Sequence, residues 1–278
     1  MKLVMNFHMS NSSSEPVLYC IGDSHASFFS GEDRIQPNWP EAAMRHIPLF
    51  KVLKVGSSLA YNLSRKGTRS QGRETLFKLL KTSVPAHSHV MLIFGEIDCR
   101  AHVIKQARSR DCSVSEVING LLDGYFSVIK EVAEMGHTLI IYNAIPSRIK
   151  VPTKSSADPS FIAIGTCLER NAVTKLFNQG LSTRCQEHEI YFLSIFDALL
   201  DRNGLTNTWY YFDTIHLSQR AMPLAWNALR DLIPEWELAK AKVIVPSPWD
   251  RVVDRISKRM RRLVKVQPPA RRGKHSIA

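Results

Sequence analysis

The sequence predicts an α/β fold: a doubly wound, mostly parallel five-stranded sheet sandwiched by helices. Short apolar runs rich in β-branched or aromatic residues recur five times along the 278 residues, the mark of strands buried on both faces. Stretches with helical spacing lie between them, and such alternation is what parallel strands joined by crossover helices require. A hydrophobic content of 44% is enough for one large core, or for one core with a small appendage.

The elements follow in order. Val17 to Ile21 reads as the first strand and runs into Gly22-Asp23-Ser24-His25. Phe50 to Val55 is the second, followed by Gly56, and Val90 to Phe94 the third, followed by Gly95-Glu96-Ile97-Asp98. Next comes the clearest helix: Ser113 caps it with Glu116 three residues on, Val117, Leu121, Val128 and Val132 keep helical spacing, and Gly136 ends it. Thr138 to Asn143 is the fourth strand and Ile190 to Ile195 the fifth. A last helix starts near Ser218 and runs through Leu232, where Pro223 is tolerated in the first turn or as a kink. Ligands of such sheets bind beyond the carboxyl ends of the strands. Ser24, Gly56, the 95–98 segment and the 143–148 segment therefore converge on one edge.

The formal charge of +12 is mostly a property of the end of the chain: residues 249–278 hold ten Lys/Arg against Asp250 and Asp254. Pro246 and Pro248 mark a break, after which Trp249, Val252, Val253, Ile256, Met260, Leu263 and Val264 fall at helical spacing among the basic residues. The expected organisation is a flexible N-terminus over 1–15, an α/β domain over 16–245, and a basic amphipathic helix with a disordered tail over 246–278. That helix either packs its apolar stripe on the domain or contacts an anionic membrane surface through residues 249–266. Nucleic acid is the weaker partner, because aromatics are not interleaved with the charges. Cys20, Cys99, Cys112, Cys167 and Cys185 are odd in number, scattered and without metal-ligand spacing. They read as small apolar residues in a reducing, cytoplasmic setting, peripheral to a membrane if the tail binds one. The first fifteen residues make a poor secretory signal, and no run approaches the roughly 18 apolar residues of a spanning helix.

A serine at the end of a buried strand and a distant Asp213-Thr214-Ile215-His216 are the parts of a hydrolytic triad. A serine hydroxyl attacks at neutral pH only when a neighbouring base takes its proton, and an acidic residue holds that base in the right tautomer. At these residues the chain resembles the SGNH, or GDSL-type, hydrolases. Gly22-Asp23-Ser24-His25 is similar to their first block, Val55-Gly56-Ser57-Ser58 to the second, Gly95-Glu96-Ile97-Asp98 to the third and Asp213-Thr214-Ile215-His216 to the last, in the family order over roughly residues 16–233. The resemblance implies the flavodoxin-like SGNH fold, Ser24 as nucleophile, His216 as base and later acid, Asp213 as its partner, and backbone N–H groups of Ser24 and Gly56 as an oxyanion hole. No metal or organic cofactor is implied.

One position departs from that pattern. The third block of the family reads Gly-x-Asn-Asp, with the Asn side chain as third oxyanion donor, and here Ile97 fills the slot. Arg100, Asn143 and Asn62 are the candidate substitutes, because their segments reach the same edge. Glu96 and Asp98 accept hydrogen bonds when ionised, and support either Arg100 or the strand turn. Arg100 either pairs with Asp98 or anchors substrate; His25 reads as a supporting or packing residue, and His102, His137 and His188 as solvated. Basic loops 65–73 and 148–154 either rim the pocket for an anionic substrate or are simply solvated. The leading reading is an esterase acting on an acyl ester, such as an O-acetyl group, of a carbohydrate or small molecule. Transfer of the acyl group to a glycan hydroxyl uses the same triad, and a non-catalytic binding or scaffold module is the reading from another class.

Overall fold

The computed structural model describes residues 17–41, 46–150 and 161–233. The chain divides into units 1–243 and 244–278, and all described residues lie in the first. The N-terminal segment and the basic tail of the sequence reading, with its membrane contact over 249–266, fall outside the described residues.

Five strands form one all-parallel sheet: β1 (Leu18–Gly22), β2 (Phe50–Lys54), β3 (His89–Ile93), β4 (Thr138–Tyr142) and β5 (Tyr191–Leu193), in the order β2-β1-β3-β4-β5. This is a flavodoxin-like order, whose switch point lies between the first and third strands. Gly22 pairs with Lys54 on one side and Ile93 on the other, and Tyr142 pairs with Ile93 and Leu193, so the carboxyl ends finish level. A Cβ at Gly22 would lie 2.2 Å from the Ile93 carbonyl oxygen, which is why β1 ends in glycine. The fifth strand is shorter than its apolar run, with three residues paired along one side of β4.

Both faces of the sheet are covered, which explains the mainly apolar runs, with the half-buried Lys51 and Lys54 on β2 at the sheet edge as the interruptions. Tyr19, Ile21, Val90, Leu92, Leu139 and Ile141 face a core built with α1 (Ala60–Leu63), α2 (Gly72–Ser83), α3 (Val103–Arg110), α4 (Val114–Ala133) and α5 (Cys167–Glu187). Leu18, Cys20, Met91, Ile93, Ile140 and Tyr142 face a second core closed by a 3-10 turn, Ser24–Ser30, and by α6 (Met222–Leu232). α4 begins as its sequence specifies: the Glu116 amide donates to Ser113 Oγ at 3.1 Å and the Ser113 amide to Glu116 at 2.8 Å. Gly136, at φ +81°, follows its end in a conformation that L side chains rarely adopt. α6 opens through a 3-10 turn, Gln219–Ala221, and holds Pro223 in its first turn, where no hydrogen bond is lost.

α5 has a Thr166/Glu169 capping box but no clean apolar period. Its buried face carries Arg170, Asn171, Thr174 and Asn178 beside Val173, Phe177 and Leu181. Three of these polar side chains hold the loop after β4: Asn178 bonds both the N–H and C=O of Ala144, at 2.9 and 2.8 Å, and Asn171 accepts from the Ser147 amide at 3.0 Å. Arg170 donates to Ser147 Oγ at 2.8 Å and to the Arg148 carbonyl at 2.7 Å. A loop at the carboxyl edge is thus fixed by side chains from a helix flanking the sheet.

Candidate active site

Ser24 opens the turn after β1, where the Asp23 carboxylate caps the chain by accepting from the His25 amide at 2.8 Å. Asp23 and His25 are buried, while Ser24 is half-buried at the edge. Its partner arrives on the loop before α6. Asp213 Oδ1 accepts from the amides of Ile215 at 2.7 Å and His216 at 2.6 Å, folding the 213–216 segment back on itself. An antiparallel bridge between Tyr211 and Leu217 closes the loop, and the Arg148 guanidinium donates to the Asp213 carbonyl.

The result is a continuous chain of hydrogen bonds. Asp213 Oδ2 lies 2.8 Å from His216 Nδ1, and His216 Nε2 lies 2.9 Å from Ser24 Oγ. A carboxylate at Nδ1 requires the proton there, which leaves Nε2 as the acceptor for the serine hydroxyl. The ring is clamped between Phe212, stacked at 5.9 Å, and His25, at 5.0 Å. Burial draws the His216 pKa below the usual 6.5, with the nearby His25 acting in the same direction and Asp213 opposing. The imidazole is neutral at pH 7, as a proton acceptor must be. Burial pushes Asp213 up, but its bonds to the His216 side chain and to the 215–216 amides hold it below its ordinary value.

A second network lies behind the first. His25 Nε2 is 2.9 Å from Glu96, whose other oxygen accepts from Arg100 Nε at 2.7 Å, and Arg100 also donates to the Phe161 carbonyl at 2.6 Å. All three side chains are about 95% buried. Burial disfavours the Glu96 carboxylate, but Arg100 and His25 hold its pKa far below the carboxylate range. Burial lowers the His25 pKa and the charges on Glu96 and Asp23 more than restore it, so the net shift is upward. Among the described residues one buried Asp23 oxygen has no hydrogen-bond partner, and burial raises the Asp23 pKa to about 6.

Two of the candidate oxyanion substitutes are committed elsewhere. Arg100 pairs with Glu96, not with Asp98, and that bond together with Phe161 occupies its guanidinium. Asn143 accepts from the Ile195 amide at 2.9 Å and donates to the Ala144 carbonyl at 2.7 Å, tying β4 to the segment after β5. Asn62 sits half-buried on α1. Asp98 supports the segment after β2: its oxygens accept from the Ala60 amide at 2.8 Å and the Tyr61 amide at 3.2 Å, while burial raises its pKa to about 7. Ile97 is buried and offers no donor. Gly56 adopts φ +94°, and among the described residues neither its N–H nor that of Ser24 has a hydrogen-bond partner.

Other surroundings differ from the sequence reading. Of the basic loops, Arg73 bonds Glu131 and covers Phe77, and Arg148 is drawn to the Asp213 carbonyl, so these two brace structure and do not wave in solvent. His102 and His137 are half-buried, against the solvated placement expected for them, because each sits where a helix or strand begins against the core. The five cysteines are free, four of them buried. Among the described residues no group of three or more His, Cys, Asp or Glu is placed to hold a metal ion, and no helix is long and apolar enough to cross a membrane. The links of His25 to Glu96, of Phe212 to His216 and of Arg148 to Asp213 carry no local sequence signal.

No family model and no curated protein sequence matches the chain. Among solved structures it is similar to phospholipase A1 from Streptomyces albidoflavus, with 13% identity over 79% of this chain and 100% of that one and a TM-score of 0.43. It is similar also to an acetylxylan esterase from Geobacillus stearothermophilus, with 16% identity, 80% and 94% coverage and a TM-score of 0.46. A GDSL-like lipase from Bacteroides thetaiotaomicron matches with 11% identity, 80% and 86% coverage and a TM-score of 0.40. Likeness at this level carries no inference about chemistry.

Proposed function

We propose that the chain is a serine ester hydrolase of the SGNH/GDSL type, acting through an acyl-enzyme on esters of carbohydrates or small molecules. The observation that carries this reading is the unbroken path from Ser24 Oγ to His216 Nε2 at 2.9 Å and from Nδ1 to Asp213 at 2.8 Å. Both spacings suit proton transfer in the ground state. His216 takes the Ser24 proton as Oγ bonds to the ester carbonyl carbon. Asp213 stabilises the imidazolium without itself being protonated. The negative oxygen of the tetrahedral intermediate is received by the backbone N–H groups of Ser24 and Gly56. Collapse breaks the bond to the leaving alcohol, which takes the proton from His216, and a water molecule repeats the cycle on the acyl-serine.

The neutral state of His216 and the half-exposed hydroxyl support the same reading. A scaffold module would have no use for an imidazole held neutral against a serine. The test is hydrolysis of p-nitrophenyl acetate by the purified protein and labelling by a fluorophosphonate. Turnover and labelling at Ser24 are expected, with both lost in Ser24→Ala. Retained turnover in that variant would refute the triad.

A further inference from the structure

We propose that the side-chain amide of Asn38 donates the third hydrogen bond to the oxyanion, in the role that Ile97 cannot fill. The inference rests on the hydrolase reading above. Asn38 lies outside every sequence block of the site, and the fold brings it in from the side. The segment after the 3-10 turn runs alongside the carboxyl end of β2 as a short added strand: Asn38 bridges to Lys54 in parallel and the Trp39 amide donates to the Lys54 carbonyl at 2.7 Å. Gly56 is two residues beyond Lys54.

The two are spatial neighbours. A Cβ built on Gly56 would lie 3.7 Å from Asn38 Nδ2, with the rest of the amide group at 3.9 Å. Given standard bond lengths, Nδ2 is then within roughly 6 Å of the Gly56 nitrogen. Two donors each about 3 Å from one oxygen are separated by no more than that. The 3.7 Å spacing at that Cβ is ordinary van der Waals contact, so the glycine at 56 answers to its φ of +94° and not to crowding by Asn38.

The loop that carries Asn38 is fixed at both ends, as a preorganised donor requires. The Gln36 amide donates to Ser27 Oγ at 3.0 Å and its side chain to Ser30 Oγ at 3.2 Å. Trp39 Nε1 donates to Ser83 Oγ at 3.0 Å. The Asn38 side chain itself is exposed, free to meet a substrate at the edge. Arg100 and Asn143 are spent on internal partners, which leaves Asn62 on α1 as the competing donor.

The test compares wild type, Asn38→Ala, Asn38→Asp and Asn62→Ala for p-nitrophenyl acetate turnover and for the rate of fluorophosphonate labelling, with melting curves to establish folding. Asn38→Ala is expected to lower kcat about 10² to 10³-fold with KM changed less than about threefold, since the bond forms only in the transition state. Asn38→Asp keeps the shape, donates nothing when ionised, and is expected to be at least as slow. Asn62→Ala is expected to stay within about threefold of wild type. An Asn38→Ala enzyme keeping a third or more of the wild-type kcat, or the large loss appearing in Asn62→Ala, would overturn the assignment while leaving the hydrolase reading intact. A wild-type protein that neither turns over ester nor labels at Ser24 would remove the hydrolase reading, and this inference with it.

Discussion

Replacing Glu96 by glutamine removes one negative charge from the centre of a buried chain of three ionisable groups. Glu96 is 6% exposed and accepts from His25 at 2.9 Å and from Arg100 at 2.7 and 3.2 Å. The amide keeps the volume but accepts at only one of the two oxygen positions, and leaves the buried Arg100 charge without the carboxylate it is bonded to. Removing one partner of a buried pair costs about 3–5 kcal/mol. Each kcal/mol lowers the melting temperature by about 2–4 °C in a domain of this size, so Glu96→Gln is expected to melt roughly 6–20 °C below wild type. Asp123→Asn is the control: Asp123 is 70% exposed in its pair with Arg184, and its loss costs at most about 0.5 kcal/mol. Calorimetry or urea denaturation reads both variants. A Glu96→Gln protein melting within about 2 °C of wild type would show that the buried network contributes no net stability and that the reasoning from burial fails.

Because burial holds the His216 pKa below 6.5, the acid limb of kcat/KM is expected below pH 6.5, and a limb above pH 7 in a pH–rate profile would contradict the placement of His216 as a neutral base. Asp23 and Asp98 are raised from 3.8 to about 6 and about 7, so the folded chain keeps protons that the unfolded chain has already released. Stability is therefore expected to fall as pH rises from about 4 to about 7, and Asp23→Asn to flatten that slope by on the order of 1–3 kcal/mol; urea denaturation across this range reads it, and stability climbing with pH instead would refute the shifts. Gly22→Ala sets a Cβ 2.2 Å from the Ile93 carbonyl oxygen, and is expected to cost about 1–3 kcal/mol or more and to depress turnover by parting β1 from β3 beneath Ser24. A melting temperature and kcat equal to wild type would show that the strands yield without cost.

Strands were legible in the sequence because burial on both faces leaves a mainly apolar run, and each of the five runs overlaps a strand. α4 was legible through its capping box and its period. α5 was not, since its inward face is occupied by Arg170, Asn171, Thr174 and Asn178, polar side chains that break the apolar stripe. Ser24, Asp213 and His216 could be named as candidates because short-range chemistry fixes their neighbours: a turn after a strand, and an Asp whose oxygen folds the next three residues. Partners set by tertiary approach left no trace. Nothing near His25 announces Glu96, 71 residues away, and the two roles open to Arg100, a pair with Asp98 or a substrate anchor, both give way to Glu96, one helical turn earlier. Asn38 escaped for the same reason, because its closeness to Gly56 depends on a strand-like segment with no apolar pattern of its own.

Ser24 and His216 are 192 residues apart in the chain and 2.9 Å apart in space. As the chain emerges from the ribosome, Ser24 is made ahead of four of the five strands, and His216 comes only with the loop before α6. Until then the polypeptide carries a hydroxyl with nothing to deprotonate it. On the proposed hydrolase reading, a fragment that carries Ser24 but is cut ahead of residue 216 would lack its base, whatever else of the fold it had formed.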